Sequence, residues 1–338
     1  MARVEQAGLP AEPRTALADD LADLWGSRED LPVRVVSARV STAHRLKEIW
    51  RARALLVFLV RSELKVRYKN SFLGFLWSFL NPAMVLLIYY VVFRYIEHTQ
   101  LSDFAVFLFC GLLPWNLFNT AILSSAGTLV ANAGIVKKVA FPREILALSQ
   151  VGVALSYFFF QTCILVVFLV GFQVMPEWRY LPEVLLALVC DIVFSAALAL
   201  VLSALNVYMR DIEHLIQVVM VALFFAEPIV YPYSSVQSHL ANHGLTWLYL
   251  ANPLTAMVLA FQRCIYGNVK STATTPSYTV RKGLLITHIV HTPIQSLANY
   301  GTGFYLELMG GMLAGSLLLF YVAMLIFRRV EGNFAEEL

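Results

Sequence analysis

Charge is what this chain has least of. Of its 338 residues only 14% are Asp, Glu, Lys or Arg, where a soluble domain carries about a quarter. Mean hydropathy is +0.68 and 59% of the residues are hydrophobic. These values argue against an ordinary water-soluble domain and point to a lipid bilayer. A net charge of +3 is too small to suggest a nucleic-acid partner. No Gly-x-x-x-x-Gly-Lys-Ser/Thr run occurs, and the dipeptide Gly-Lys is absent altogether, so the chain cannot hydrolyse ATP by that loop. Cysteine is scarce as well. Cys110, Cys163 and Cys190 sit in apolar stretches and Cys264 stands alone, so neither a metal site nor a disulfide is expected. His239 and His243, and His288 and His291, have helical or turn spacing, but no Cys or carboxylate completes a ligand shell.

The arm 1–43 is polar and lacks the apolar core of a secretory signal peptide, so its expected place is the cytoplasm. Leu17 to Trp25 suits a short acidic helix. Asp19 and Asp20 have no further ligands at useful spacing, so they read as part of a solvated helix or disordered arm rather than a metal site. No role is assigned to this arm.

The chain is organised around Arg61 to Pro82, R-S-E-L-K-V-R-Y-K-N-S-F-L-G-F-L-W-S-F-L-N-P. Upstream, Leu46, Ile49, Trp50, Leu56, Val57, Val60 and Leu64 recur at helical spacing, with Arg51, Arg53, Arg61, Lys65, Arg67 and Lys69 along the same segment. This predicts an amphipathic interfacial helix over 44–70, its cations facing phosphates. The charge alone is equally that of a basic flank before a first span. The chain then turns at Ser71 to Gly74 and enters the bilayer.

Arg61, Glu63, Lys65, Arg67, Tyr68, Ser71, Leu73, Gly74, Leu76, Trp77 and Pro82 together resemble the opening motif of the ABC-2 type permeases that export polysaccharides. These are the membrane subunits of O-antigen, teichoic-acid, capsule and galactan exporters. Later segments match in order, so the resemblance covers roughly Trp50 to Phe334. It implies an all-α integral membrane fold with six transmembrane helices. It also implies short re-entrant extracytoplasmic gate helices between spans five and six, all within a transmembrane domain over 71–334.

Apolar runs long enough to span occur at Phe75 to Ile96, Phe104 to Val130, Ile145 to Phe172, Val184 to Val207, Ile212 to Tyr231 and Phe304 to Phe327. Gly111 and Pro114 predict a kink in the second. Lys137, Lys138, Arg143, Arg210, Arg328 and Arg329 all fall on the side of the basic helix, which predicts that both termini are cytoplasmic. The connection 232–303 is then outside. Ser234 to Ala241 and Asn252 to Tyr266 are too short to cross, and Asn252-Pro253-Leu254-Thr255 matches the family's gate element. Asn268 to Gly303 is longer than the family usually has and reads as an extracytoplasmic cap. Trp178, Tyr180, Trp247 and Tyr249 suit the outer interfacial belt.

Ala131 to Glu144 looks like the family's coupling segment, with Ile135, Val136, Lys137, Lys138 and Phe141 as its contact residues. Physically it is one or two helical turns with two cations, closed by Pro142. Such a piece can dock on a cytoplasmic partner; taken alone, it is also an ordinary basic loop. Arg210-Asp211-Ile212-Glu213-His214 begins the fifth span, where structure or coupling is expected rather than acid–base chemistry. Glu227 and Asp191 interrupt apolar runs, and a carboxylate there is costly unless protonated, paired or wet.

The expected activity is transport by a permease subunit that is not an enzyme, in the bacterial inner (plasma) membrane. The cargo would be a lipid-pyrophosphate-linked polysaccharide, with galactan favoured by the long outer insertion. Arg61, Lys65, Arg67, Glu227 and Tyr231 are the candidate substrate-binding residues. The expected assembly is a homodimer with two copies of an ABC ATPase subunit, which binds the ATP and Mg; this chain holds no cofactor or metal of its own. A drug or lipid exporter of the same superfamily is the alternative. A polyprenyl-carrier-dependent membrane enzyme would need convergent carboxylates, and Asp103, Asp191 and Asp211 are expected at different levels.

Overall fold

The computed structural model describes residues 42–69, 76–96, 101–139, 141–241, 244–281, 284–294, 297 and 300–338. The acidic helix expected in the arm, the turn Ser71 to Gly74, and His243 lie outside these residues. The amphipathic stretch forms α1 (Thr42–Arg51) and α2 (Arg53–Tyr68), broken at Ala52. Next come α3 (Trp77–Val91), extended by a π-helical turn Val92–Ile96, and α4 (Phe104–Ala126), which runs unbroken through Gly111 and Pro114. Two short pieces follow, α5 (Thr128–Ala131) and α6 (Ala133–Lys138). The longer helices α7 (Glu144–Phe172), α8 (Leu181–Tyr208) and α9 (Asp211–Ala226) come next, then the shorter α10 (Tyr233–Ala241), α11 (Thr246–Leu250) and α12 (Pro253–Tyr266). After a strand pair come α13 (Thr302–Glu331) and α14 (Phe334–Glu337).

Among the described residues, five helices are long and apolar enough to cross a membrane: Phe79–Ile96, Phe104–Ala126, Glu144–Phe172, Trp178–Tyr208 and Thr302–Glu331. The fifth expected span is shorter. Its helix has 16 residues and stops at Ala226, so it extends about 24 Å against a hydrocarbon core of about 30 Å. The helical membrane body agrees with the expectation. The cap over 268–303 adds an antiparallel hairpin, β1 (Ser271–Arg281) and β2 (Leu284–Ile294), paired from Ser271↔Ile294 to Arg281↔Leu284. Its sequence is rich in Thr, Val and Ile, which favour strands.

Two apolar clusters hold the bundle. The larger is centred on α4, which is buried along most of its length, and on α12, where every residue from Leu254 to Tyr266 is buried. Where α4 passes the turn after α9, a Cβ on Gly111 would lie 3.2 Å from the Ile229 Cα, so glycine permits the approach. The smaller cluster joins Leu129, Val136, Leu146, Leu200, Phe327 and Phe334 at the end of the bundle that carries Lys137 and Lys138. There α2 packs on α7 so closely that a Cβ on Gly152 would stand 2.7 Å from Val60 Cγ2. The end of α13 is tied in by three contacts. Arg45 pairs with the Glu331 carboxylate at 2.7 Å, Arg143 donates to the Glu331 carbonyl, and the Tyr208 hydroxyl donates to the Val330 carbonyl at 3.0 Å.

At the hairpin end, Arg263 of α12 reaches Glu183 of α8, its Nη1 lying 3.1 and 3.2 Å from the two carboxylate oxygens. Its guanidinium lies 3.9 Å from the Tyr180 ring centroid and 4.5 Å from that of Tyr305. Glu183 is 1% exposed, so neither charge can turn to water. Glu183→Ala should lower stability by about 3–5 kcal/mol, because it strands a buried cation. The pair Glu183→Leu with Arg263→Met should recover most of that loss, as read by thermal unfolding of the purified protein.

Candidate functional site

The cations of the surface helix divide between two faces. Arg61, Lys65 and Lys69 are exposed and line a shallow hollow of about 610 Å³ with Phe58 and Val66. Exposed Trp50 and Phe58 place apolar surface beside these charges, as an amphipathic surface helix requires. Arg67 lies apart from this group. Its Nη1 donates to the Tyr157 hydroxyl at 3.1 Å, and its guanidinium sits 5.4 Å from the centroid of the same ring. The two residues line a cleft of about 390 Å³ with Trp77, Asn81, Thr120 and Gln161, between α3, α4 and α7. A guanidinium beside amides, a hydroxyl and aromatic rings is suited to an anionic group attached to a sugar.

A second hollow of about 460 Å³ runs between α3, α4 and α9. Tyr89, Trp115, Phe224 and Phe225 supply ring surface there, and Asn116, Asn119 and Gln217 supply amides. Tyr89 stacks on Phe224 with centroids 5.3 Å apart, and Trp115 is 5.5 Å from Phe224. The Asn116 Nδ2 donates to the Gln161 Oε1 at 3.0 Å. Asn116 lines the aromatic groove and Gln161 lines the Arg67 cleft, so this bond joins the walls of the two.

Glu227 and Tyr231 are placed elsewhere. Glu227 is fully buried: one carboxylate oxygen accepts from the Asn252 amide and the other from the Thr255 hydroxyl at 2.7 Å. Asn252 also caps α12 by accepting from the Leu254 N–H at 3.1 Å. Glu227 thus sits beside the first turn of α12, where the helix dipole favours an anion, and is part of the packing. The Tyr231 hydroxyl donates to the Phe225 carbonyl at 2.9 Å, closing the end of α9.

The coupling segment is helical over Ala133–Lys138, and Val139 then extends. Lys137, Lys138 and Ile135 face outward, whereas Val136 is buried and Phe141 is half-buried against the smaller cluster. The segment therefore presents two cations and one apolar side chain while Val136 and Phe141 anchor it. In the Arg210 to His214 element, the Glu213 N–H donates to the Asn206 Oδ1 at 3.2 Å, and Asp211 and His214 are exposed. Asp191 is buried and accepts from Ser195 at 3.2 Å. The pairs made by Glu227 and Asp191 do not bring them together with Asp211. No group of His, Cys, Asp and Glu among the described residues could hold a metal.

Glu227→Gln would turn an amide NH2 toward one of two donors, so it should cost about 1–3 kcal/mol of stability. Thermal unfolding measures this. Unchanged unfolding together with impaired transport would return Glu227 to the substrate path.

The ABC-2 type transporter family profile matches residues 54–266, more than half of the chain. The O-antigen export system permease protein RfbA of Myxococcus xanthus is 33% identical over 221 residues, covering 65% of this chain and 84% of that protein. The protein of the same name in Klebsiella pneumoniae is 33% identical over 208 residues, 62% of this chain and 78% of its own. The polysialic acid transport protein KpsM of Escherichia coli is 26% identical over 209 residues, 58% and 75% of the two chains. The chain belongs to the ABC-2 type transporter family, as a multi-pass membrane permease similar to those of polysaccharide exporters.

Proposed function

We propose that this chain is the membrane half of an ATP-driven exporter that carries lipid-pyrophosphate-linked polysaccharide out of the cell. The observation that carries the reading is the joined pair of hollows. Arg67 lies in a cleft with hydroxyl and amide partners, and the Asn116–Gln161 bond leads from there to a groove faced with rings and amides. The guanidinium suits a pyrophosphate, which it can hold through two parallel hydrogen bonds. Ring faces accept successive sugars without fixing their order, and the amides offer hydrogen bonds to hydroxyls. Arg61 and Lys65 would gather the anionic headgroup at the membrane surface before it reaches Arg67. The relatives named for O-antigen and polysialic acid support a polymeric glycan as cargo, and the insertion 268–303 favours galactan.

The basic side would be cytoplasmic, with both ends of the chain on it and the hairpin outside, in the bacterial inner membrane. Six crossings then follow if α9 completes the fifth with the buried turn Glu227 to Val230. The α3–α9 groove opens at the side of the chain, so a homodimer would close it into a channel between copies. Two ABC ATPase subunits, holding the ATP and Mg, would dock on Ile135, Lys137 and Lys138. Their motion would pass through the Val136 and Phe141 anchors into α4 and α7 as a rigid-body shift.

Charge reversal of Lys137 and Lys138 to Glu should cut glycan-stimulated ATP hydrolysis about tenfold in the reconstituted exporter, the loss of roughly one charge-assisted contact. Undiminished hydrolysis would count against docking at this loop. Arg67→Ala and Trp115→Ala should each lower glycan export from proteoliposomes while basal ATP hydrolysis persists. Rapid movement of a small amphiphile with no glycan transport in the wild-type protein would instead assign the chain to drug or lipid export.

A further inference from the structure

Arg67 stands at the junction of two clefts. Besides the one it shares with Tyr157, it lines a second of about 480 Å³, between α2, the junction of α4 with α5, α7 and α9. This second cleft is acidic. Glu63, one turn before Arg67 on α2, and Glu213, in the first turn of α9, both line it. Neither makes an ion pair among the described residues. The backbone N–H of Glu213 is held by Asn206. A Cβ on Gly127 would lie 3.0 Å from the Glu213 Oε2, so glycine at that position leaves the carboxylate its room.

Two further groups point to an occupant. Thr128 is 4% exposed and Gln150 is 9% exposed, and neither side chain has a hydrogen-bond partner among the described residues. Polar side chains this deeply buried are rarely left so. Their polar atoms are not sealed from solvent, and both residues line the acidic cleft. Asn132 commits its Nδ2 to the Thr128 carbonyl at 2.8 Å and lines the same space, to which it can offer its Oδ1.

A pyrophosphate linking lipid to sugar carries a negative charge on each phosphate. Held at Arg67, it would share one guanidinium with two carboxylates, and the like charges repel. A sugar would use the amides and the hydroxyl but bring no countercharge. Mg²⁺ meets every need, because it keeps several waters and binds through one or two carboxylates together with substrate phosphates. Those waters can donate to the Asn132, Thr128 and Gln150 side-chain oxygens. No larger group of ligands occurs among the described residues, so the ion would arrive with the cargo. We propose that the pyrophosphate of the cargo is received together with a Mg²⁺ ion, shared between its phosphate oxygens and the carboxylates of Glu63 and Glu213, which rests on the pyrophosphate-linked cargo proposed above.

The test uses the full-length permease in nanodiscs, with no ATPase subunit or nucleotide, and a fluorescent prenyl-pyrophosphoryl-hexose as probe. Wild type should bind the probe about tenfold tighter in millimolar Mg²⁺ than in EDTA. In Glu63→Gln with Glu213→Gln that difference should vanish. Binding by this variant in EDTA should also be tighter than that of wild type in EDTA, because no carboxylate repels the phosphates; a merely structural role would not improve it. Neither carboxylate has an ion-pair partner to lose, so unfolding temperatures should match wild type. Equal binding by wild type in Mg²⁺ and EDTA overturns the inference and leaves the pyrophosphate reading standing. A Mg²⁺ effect that persists in the double variant belongs to the probe alone and overturns it too. Binding in neither condition, or binding indifferent to Arg67→Ala, would fell the cargo reading itself and this inference with it.

Discussion

Polar groups buried inside a fold must find their hydrogen-bond partners there. That requirement shapes the surroundings of α12. Helix α12 is buried over its whole length after Pro253, and its polar ends are met by named partners. Asn252 caps its start and engages Glu227, Thr255 closes on the same carboxylate, and Gln262 donates to the Pro228 carbonyl at 2.8 Å. At the other end Arg263 is held by Glu183 between two tyrosine rings. The helices α4, α8 and α13 pack around an element that is itself pinned.

This changes the meaning of two features. Glu227 reads in the sequence as a lone carboxylate in an apolar run, equally a hydrogen bond between helices or part of a polar path. Its partners lie some 25 residues downstream, where sequence periodicity carries no link between them, and they make it a packing group. The segment Asn252 to Tyr266, expected as a gate helix, is buried at every residue from Leu254 onward. The pair α3 and α9, which flank the aromatic groove, is less enclosed and exposes Ile88, Val218 and Phe225.

Much was legible beforehand, and for physical reasons. Spans announce themselves because lipid demands about twenty apolar residues in a row; the expected Ile145 to Phe172 is observed as Glu144–Phe172, and Phe304 to Phe327 as Thr302–Glu331. The short helix Ala133–Lys138 was readable from Pro142 and its two lysines. The cleft at Arg67 was only half readable. Arg67 stood in the opening motif, but Tyr157, Gln161, Asn116 and Asn119 lie on other helices, and only tertiary packing brings them together. Their signal was present as amides within apolar spans, a costly placement that marks a wet or paired site. The hairpin was missed because Thr-rich polar sequence between spans reads equally as loop.

Glu331 is where three separate segments meet. Its carboxylate holds Arg45 of the surface helix, and its carbonyl holds Arg143, just beyond the lysine-bearing loop. The Arg143 guanidinium also lies 6.0 Å from the Phe334 ring centroid. The first helix and the segment after the two lysines therefore share one point of attachment at the end of α13, so loss of Glu331 would loosen both at once.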